Sequence, residues 1–564
     1  MSKRKPTAPI ESDLWRSVDE QENPEAATAS VVREFPDGAS ELDGTSRREF
    51  MQLVGGTLAL AGVGTLAGCK DPPERIMPYN IKPADVIPGR PLHYATTLTY
   101  GGVATAVLAT AWEGRPTKIE GNPEHPLNKG SSSSFDQAAI LSLYDDTRAK
   151  EIKEHGTGRS WKDFCRTIDT HAAGLNGDGG SKLAFLVEPS ASPLLASLQK
   201  RIAAAFPKAR WYSHSNVAMD LAYEGARAAF GRPLETQYDL TKAKVVVSLD
   251  ADFLGGWPMW LGQQRQWAER RAPGNDMSRL YVAEAMLSCT GMMADHRLRA
   301  RSSDLGKIAI ALNAAVSGNG SADAGDAKAN AWVKAVAKDL MGAGGDAVVV
   351  IGQRQPPALH ALVHSINAAI KSNAVTYTAT VLPEHEPLST LAGEIKTGRV
   401  DTLVITAWNP VYSTTGDVGF KQLLGKVPNA IYLAGHEDET ASEVAWIVPR
   451  AHELESWGDG RSADGTVTLQ QPIIQPLFNG VSVAELWSAF LGEGGLGGYN
   501  LVRAAYPMLD EVAFEKAVQK GIVDGTAAAK ETSALQSGAI TRILGEAPSI
   551  AKMAGGLEVN FALD

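Results

Sequence analysis

The stretch Lys182–Ala205, which reads KLAFLVEPSASPLLASLQKRIAAA, joins a continuous apolar run to a segment with helical spacing. Its first part, Lys182–Val187, predicts a buried strand, and Ser192–Ala205 predicts the helix that follows. The same order of apolar run, polar turn and helix recurs along the chain. Further strands are predicted at Lys244–Leu249, Leu280–Ala283, Ala347–Ile351, Thr402–Thr406 and Ala430–Ala434. This βαβ order predicts a multi-domain α/β protein with parallel, doubly wound sheets.

Composition narrows the class of protein. The chain has 564 residues, long enough for several domains, and 44% of them are apolar, enough for a large core. Lys and Arg number 54 against 64 Asp and Glu, which gives a formal net charge of −10. This acidic balance argues against a nucleic-acid-binding protein, because such proteins usually carry a basic face.

Cysteine usage restricts the redox chemistry. The only three cysteines are Cys69, Cys165 and Cys289, and no two lie within four residues of each other. Zinc sites and iron–sulfur clusters usually take three or four thiolates, often from a C-x₂-C pair. The sequence therefore predicts no cysteine-ligated cluster, and we assign no catalytic residue and no metal ligand. A disulfide framework is excluded, although a single Cys165–Cys289 bridge stays open.

The N-terminal part predicts an export signal. Residues 1–46 are polar and predict a disordered arm. Arg47 and Arg48 then precede a weakly apolar, glycine-rich stretch that is short for a membrane-spanning helix. This pattern predicts a twin-arginine signal over residues 47–69 and hence export in a folded state. The alternative is an N-terminal helix of a cytosolic protein.

The end of this signal allows two interpretations. Leu66-Ala67-Gly68-Cys69 matches a lipoprotein cleavage box, in which Cys69 would become lipidated and tether the chain to a membrane. The alternative is an ordinary signal end with an incidental cysteine.

Two short motifs after the predicted export signal are best interpreted as structural. Asn409-Pro410 follows a predicted strand, where ligands bind in doubly wound sheets, but a capped turn is the favoured interpretation. His360 and His364 share one helix face at a spacing that zinc accepts, yet no third ligand is in view, so a structural pair is favoured.

The segment from residue 439 to residue 477 is dense in Gly, Pro, Trp and acidic residues, and it predicts a rigid, specifically folded loop. Within it, His452 with Glu453 or Glu455 could act as a proton relay. As isolated residues they are more often structural.

Several segments together resemble a known family. They are Glu113–Pro126 (EGRPTKIEGNPEHP), Leu143–Arg148, Ala294–Asp304, Gly398–Leu403 and Asp438–Leu477. Over residues 90–490 the chain resembles the molybdopterin bis(guanine dinucleotide) oxidoreductases, which implies their fold.

Departures from that family's pattern bear on function. Where active relatives carry a cluster motif, this chain has Thr96–Gly102 and Ser131–Ser134, both without cysteine. The family's Pro-Gly-Thr-Asp pterin loop corresponds to Arg301, Ser302, Ser303 and Asp304, of which only the aspartate matches. The metal-ligand region near residues 190–215 offers serine and no cysteine. The resemblance therefore implies a vestigial pterin loop and no cofactor in this chain.

A narrower resemblance implies a role. The segments Trp15–Val18, Asn23-Pro24, Glu34–Pro36, Thr45–Arg48 and Pro88–Thr97 resemble the B subunits of alternative complex III, a quinol:electron-acceptor oxidoreductase of bacterial membranes. This implies a non-catalytic structural and docking subunit at the periplasmic face of the cytoplasmic membrane. The implied partners are a ferredoxin-like iron–sulfur subunit or domain, multihaem cytochrome c subunits and polytopic quinol-binding membrane subunits, which would carry the clusters and c-type haems. The alternatives are an active molybdopterin-dependent periplasmic oxidoreductase and a free periplasmic binding protein.

These observations predict a division of the chain. The expected parts are the arm 1–46, the export signal 47–69, a small β-rich domain 70–150, the α/β core domains 151–490, and a linker with a helical segment 491–564 that continues in a missing or separate module.

Overall fold

The computed structural model describes residues 86–87, 89–215, 220–255, 260–274, 276–318, 323–550 and 557–560. The predicted arm, the twin arginines Arg47 and Arg48, and Cys69 lie outside the described residues.

Within the described residues, short strands make up five sheets. In chain order they are β1 (Leu92–Tyr100), β2 (Val103–Trp112), β3 (Arg115–Gly121), β4 (Ile152–Glu154), β5 (Thr157–Arg159), β6 (Leu183–Val187), β7 (Arg210–Ser213), β8 (Glu235–Tyr238), β9 (Val245–Leu249), β10 (Arg279–Glu284), β11 (His296–Arg299), β12 (Ala347–Ile351), β13 (Val375–Thr378), β14 (Glu386–Pro387), β15 (Thr402–Ile405), β16 (Asn429–Ala434), β17 (Trp446–Pro449), β18 (Gly458–Arg461), β19 (Val467–Gln470), β20 (Ile522–Val523) and β21 (Lys530–Glu531).

Helices connect most of these strands. They span Ser134–Leu143, Trp161–Asn176, Pro193–Ala205, Asp220–Phe230, Leu261–Arg270, Cys289–Met292, Leu305–Ser317, Ala327–Ala343, Pro357–Ala369, Leu388–Lys396, Pro410–Ser413, Phe420–Leu424, Val483–Ala489, Gly498–Ala505, Glu511–Lys520 and Ala539–Ile550. Short 3₁₀ helices span Leu240–Lys242, Ser302–Asp304, Gly344–Asp346, Ala441–Glu443 and Glu453–Glu455.

Two parallel sheets confirm the predicted α/β class. The larger has eight strands in the order β14-β7-β6-β15-β16-β17-β4-β5, and its pairs are parallel from β14 to β17. The smaller has four parallel strands in the order β11-β10-β9-β12. Every residue of β6, β9 and β12 is buried, because helices cover both faces of such sheets.

The first three strands form an antiparallel meander. Tight turns join them at Gly101-Gly102 and at Glu113-Gly114, where all four residues have positive φ. Turns of this kind match the twist of a hairpin and favour glycine. The sequence also predicts strands at Ala104–Ala111 and Thr117–Glu120, and these lie within β2 and β3.

The helix Pro193–Ala205, which follows β6, buries one apolar face against the sheet. Ser192 caps it by accepting a hydrogen bond from Leu195 N, and a proline occupies its first position. Leu194, Leu198 and Ile202, spaced by four residues, are the side chains that it buries against the sheet.

Two segments differ from their predicted structure. Residues 439–477, predicted as a rigid loop, contain β17, β18 and β19. Residues 491–500, predicted as a linker, are anchored: the Trp161 indole donates to Gly494 O at 2.9 Å. Leu501 and Phe514 beyond them belong to the same core cluster as Phe185. The apolar residues of the helices Gly498–Ala505 and Glu511–Lys520 pack into the core, and this packing holds the segment in place despite its glycines.

No helix within the described ranges is both long and apolar enough to cross a lipid bilayer.

Candidate functional site

Each parallel sheet has a point where its strand order reverses. In the eight-stranded sheet the chain runs outward from β6 to β7 on one side and from β15 through β16 to β17 on the other. In the four-stranded sheet the reversal lies between β9 and β12. Crevices at the carboxyl ends of strands at such points are the usual ligand sites of doubly wound folds.

A cavity of about 580 Å³ lies at the end of β6. Glu188, Ser190, His385 and Trp487 are among its lining residues. Trp487 Nε1 and His385 Nδ1 are buried, and neither has a hydrogen-bond partner among the described residues. The volume is typical of small-molecule sites. The described lining offers hydroxyl, carboxylate and ring nitrogen atoms but no sulfur.

Asp459 fixes one wall of this cavity. Its buried carboxylate accepts hydrogen bonds from the Ser192 hydroxyl, from Leu194 N at 2.9 Å and from the Tyr506 hydroxyl. Burial raises the pKa of Asp459, and these three bonds oppose that rise. The carboxylate therefore holds the start of the helix Pro193–Ala205 in a fixed position.

Arg450 and Trp408 lie beside Glu188 at the same edge of the sheet. The Arg450 guanidinium lies 4.1 Å from the centre of the Trp408 ring and donates to Thr406 O. Burial raises the pKa of Glu188, while the Arg450 charge and a hydrogen bond from Trp408 oppose the rise. Trp408 is 45% exposed, so this stack connects the crevice to the surface.

Glu453 is a buried carboxylic acid whose charge interacts with that of Glu188. Burial raises its pKa to about 8, the Glu188 and Asp136 charges act in the same direction, and a hydrogen bond from Thr99 N at 2.9 Å opposes them. Because the folded protein binds this proton more tightly than the unfolded chain, protonated Glu453 favours the fold. The contribution of Glu453 to stability is therefore fully present below about pH 4.5, and it is lost as the pH rises towards 8.

The Glu453→Gln variant tests this coupling. We expect the wild type to lose stability relative to the variant between about pH 5 and pH 8, with a limiting slope of about 1.4 kcal/mol per pH unit. The glutamine stays neutral, and its amide oxygen can still accept from Thr99 N. Urea unfolding of both proteins at several pH values measures the effect. Parallel stability curves for the two proteins would contradict it.

In the second crevice, acidic residues follow the strands directly. Asp250, after β9, has a positive φ of 57° and accepts from Gln355 Nε2 at 2.8 Å. Glu284, at the end of β10, accepts from Ser288 N at 3.2 Å, from Ser288 Oγ at 2.5 Å and from Arg297 Nε at 2.6 Å. The Glu284 carboxylate is thus held by its own chain.

Arg301 and Asp304 of the predicted pterin loop line a cleft of about 850 Å³ at the carboxyl ends of β10 and β11, next to this crevice. Residues 301–304 lie together, between β11 and the helix Leu305–Ser317. Ser303 N donates to Glu558 Oε2 at 3.2 Å, the Ser303 hydroxyl donates to Glu558 Oε1, and the Ser302 hydroxyl donates to Asn560 Oδ1 at 2.7 Å. These loop donors are paired with the chain itself, so the loop in this conformation does not fit the phosphates of a pterin dinucleotide.

Two cysteines lie within the described residues, and both are free thiols. Cys165 Sγ lies 3.8 Å from Gly494 O, and burial raises its pKa to about 11. Cys289 is exposed at the start of a one-turn helix, directly after Ser288, which donates to Glu284. In the part of the chain that the structure describes, no three His, Cys, Asp or Glu side chains are grouped to hold a metal ion.

The histidine pair His360 and His364 is structural, as the sequence favoured. Both side chains are buried, and burial lowers their pKa values to about 4 and about 3. His364 Nδ1 lies 3.1 Å from the Tyr377 hydroxyl.

Asn409 also has the favoured capping role. It adopts a left-handed conformation with φ 33°, and its side chain accepts from Tyr412 N at the start of a one-turn helix. Its amide nitrogen donates to Glu439 Oε2 at 2.7 Å.

The proposed relay residues His452 and Glu455 form a structural clamp instead. Arg148 donates to both oxygens of Glu455, at 3.1 and 2.6 Å. His452 Nδ1 accepts from Leu454 N at 3.1 Å, and burial lowers the pKa of His452 to about 4. Because His452 is neutral at physiological pH and accepts a backbone hydrogen bond, it caps the short helix Glu453–Glu455.

Sequence reasoning missed Glu188, Glu284 and Arg450 as members of the crevices. Each directly follows or ends a strand of a parallel sheet. A charged residue at the carboxyl end of a predicted buried strand was the available signal.

Comparison with known proteins supports the fold. No protein-family model matches the sequence. The chain is 24% identical over 512 residues to the menaquinone reductase molybdopterin-binding-like subunit of Nitratidesulfovibrio vulgaris strain Hildenborough, covering 80% of this chain and 72% of that protein. The structure is similar to acetylene hydratase from Pelobacter acetylenicus, with a TM-score of 0.60, 11% identity, and coverage of 75% of this chain and 74% of that one. The chain therefore has the molybdopterin oxidoreductase fold, as the sequence predicts.

Proposed function

We propose that this chain is a non-catalytic structural and docking subunit of a membrane-bound quinol:electron-acceptor oxidoreductase of the alternative complex III type. The observation that carries the proposal is its similarity, over most of its length, to a protein named as a molybdopterin-binding-like subunit of a menaquinone reductase. That name describes quinone reduction, whereas the proposed complex oxidises quinol.

The non-catalytic part of the proposal is supported by the two crevices. In one, Ser302, Ser303 and Glu284 already donate to or accept from groups of the same chain. In the other, the described lining has a serine hydroxyl and carboxylates and no thiolate. The first arrangement supports a fold that is kept for its structural role.

The redox centres then belong to partners. Electrons pass from quinol at a polytopic membrane subunit through the clusters of a ferredoxin-like iron–sulfur subunit to multihaem cytochrome c subunits. This chain supports the iron–sulfur subunit at the periplasmic face of the membrane. Arg47 and Arg48 direct export by the twin-arginine route, and Cys69 is the candidate lipid anchor.

Metal analysis separates this proposal from an active molybdopterin enzyme. The chain is purified from membranes in mild detergent, and the complex and the separated chain are assayed for molybdenum, pterin, iron and acid-labile sulfide. We expect iron and sulfide in the complex and none of the four in the separated chain. About one molybdenum per chain would establish the catalytic alternative, and a chain that elutes alone from the detergent extract would favour a free binding protein.

The export signal gives a second test. Because the folded-protein route can carry a bound partner, changing Arg47 and Arg48 to lysine is expected to keep both this chain and the iron–sulfur subunit in the cytoplasm. Immunoblots of periplasmic and cytoplasmic fractions measure this, with Arg33→Lys in the preceding arm as the matched control. Normal delivery of the iron–sulfur subunit in the doubly substituted strain would contradict the docking role.

A further inference from the structure

A segment near the end of the sequence forms one wall of the cleft on the four-stranded sheet. Residues Leu557, Glu558 and Asn560 line the cleft together with Arg299, Arg301 and other residues of the pterin-loop region. The cleft also contains Lys307, whose ammonium lies 3.2 Å from Asp304 Oδ1. Asp304 and Asp326 also line the cleft, so the positive charge that an anion meets there comes mainly from Arg299 and Arg301.

The Glu558 carboxylate occupies the position that such an anion would take. It accepts from both the amide and the hydroxyl of Ser303, and Asn560 accepts from the neighbouring Ser302. The hydrogen bonds from Ser303 and the Arg301 charge lower the pKa of Glu558, so the carboxylate is ionised at neutral pH. Two adjacent residues of the loop thus hold two residues of the distant segment.

The helix that follows the loop also favours a negative charge at Ser303. Ser303 precedes the helix Leu305–Ser317, and Asp304 at its N-cap makes no side-chain capping bond. The first amides of a helix lack intrahelical partners, and the helix dipole favours an anion there. The helix is anchored by buried Leu305, Ile308 and Leu312, so the loop that it carries is held in place.

We infer that Leu557–Asn560 is a built-in strap, and that residues 301–304 are an anion-binding loop whose occupant is the Glu558 carboxylate. While the strap is seated, the loop is closed to phosphate-bearing molecules. The inference does not depend on the proposed function: it concerns the isolated chain, and a failed strap test leaves the complex and metal measurements unaffected.

Thiol cross-linking tests whether the strap is seated. In a background with Cys69→Ser, Cys165→Ser and Cys289→Ser, the pair Ser302→Cys and Asn560→Cys is treated with dibromobimane, which becomes fluorescent when it bridges two thiols. The Ser302–Asn560 contact of 2.7 Å predicts efficient bridging. The controls are the two single-cysteine variants and the same double-cysteine protein unfolded in urea, where the two thiols are 258 residues apart along the chain. Equal fluorescence from the folded and the unfolded double-cysteine protein would refute the seated strap.

Phosphate binding tests the anion loop. Removal of the internal carboxylate in Glu558→Ala is expected to strengthen binding of inorganic phosphate about tenfold over the wild type, measured by equilibrium dialysis of the full chain. Val559→Ala, at a neighbouring side chain that is 75% exposed, should behave like the wild type. Equal binding by wild type and Glu558→Ala, or binding by neither, would overturn the assignment of the loop as an anion site.

Discussion

Replacement of Arg148 by methionine is expected to lower the free energy of unfolding by about 3–5 kcal/mol, measured by urea unfolding at pH 7. The side chains of Arg148 and Glu455 are only 6% and 0% exposed. Arg148 also donates to Leu143 O at 2.9 Å, and Glu455 accepts from Leu477 N at 2.9 Å. Removal of the cation leaves a buried carboxylate without its counter-charge, which costs far more than the intact pair contributes.

Two further variants show whether the charge is the cause. Adding Glu455→Gln to Arg148→Met should recover stability, because glutamine is neutral and its amide oxygen still accepts from Leu477 N. Lys153→Met removes an ion pair to Glu437 whose side chains are 26% and 47% exposed, and it should cost less than about 1 kcal/mol. A double variant less stable than Arg148→Met would contradict the explanation.

Replacement of Phe185 by alanine is expected to cost about 3–5 kcal/mol. Phe185 is fully buried on β6, stacked at 4.2 Å on Trp211, with edge contacts to Trp487 at 6.3 Å and to Phe490 at 5.7 Å. The substitution removes apolar contact area and leaves a cavity that the rigid rings around it cannot fill.

Matched changes isolate the packing effect. Phe185→Leu keeps most of the volume and should cost clearly less than alanine. Tyr412→Ala removes a ring that is 76% exposed and should change stability by no more than about 0.5 kcal/mol. Urea unfolding measures all three variants, and equal losses for alanine and leucine at position 185 would contradict a cavity origin.

Local pattern predicted individual elements better than their pairing. The apolar runs at β6, β9, β12, β15 and β16 were recognisable because each is short, continuous and bounded by turn residues. β1 was missed because Thr96 and Thr97 look like surface residues. Both are in fact fully buried, and their hydroxyls donate to Gln471 O and Leu469 O. Such pairing depends on the distant strand β19, which the local sequence does not reveal.

The candidate site was predicted in part. The resemblance located residues 301–304, of which Arg301 and Asp304 line one cleft. The sequence alone could not reveal that Glu558 binds Ser303, because the two residues are 255 positions apart and no periodic pattern connects them. His452 and Glu455 were considered for proton transfer, but the sequence does not show that Arg148 reaches Glu455 and fixes both in a clamp.

One contact of the antiparallel meander has a consequence for biosynthesis. Gln471 Nε2 donates to Ala95 O at 2.7 Å and to Val518 O at 3.1 Å, so the meander is completed by residues about 376 positions later. At ribosomal rates of about 5–20 residues per second, the newly made strands wait about 20–75 s for these partners. During that interval β1 remains an unpaired sheet edge, which is open to wrong pairing with other chains.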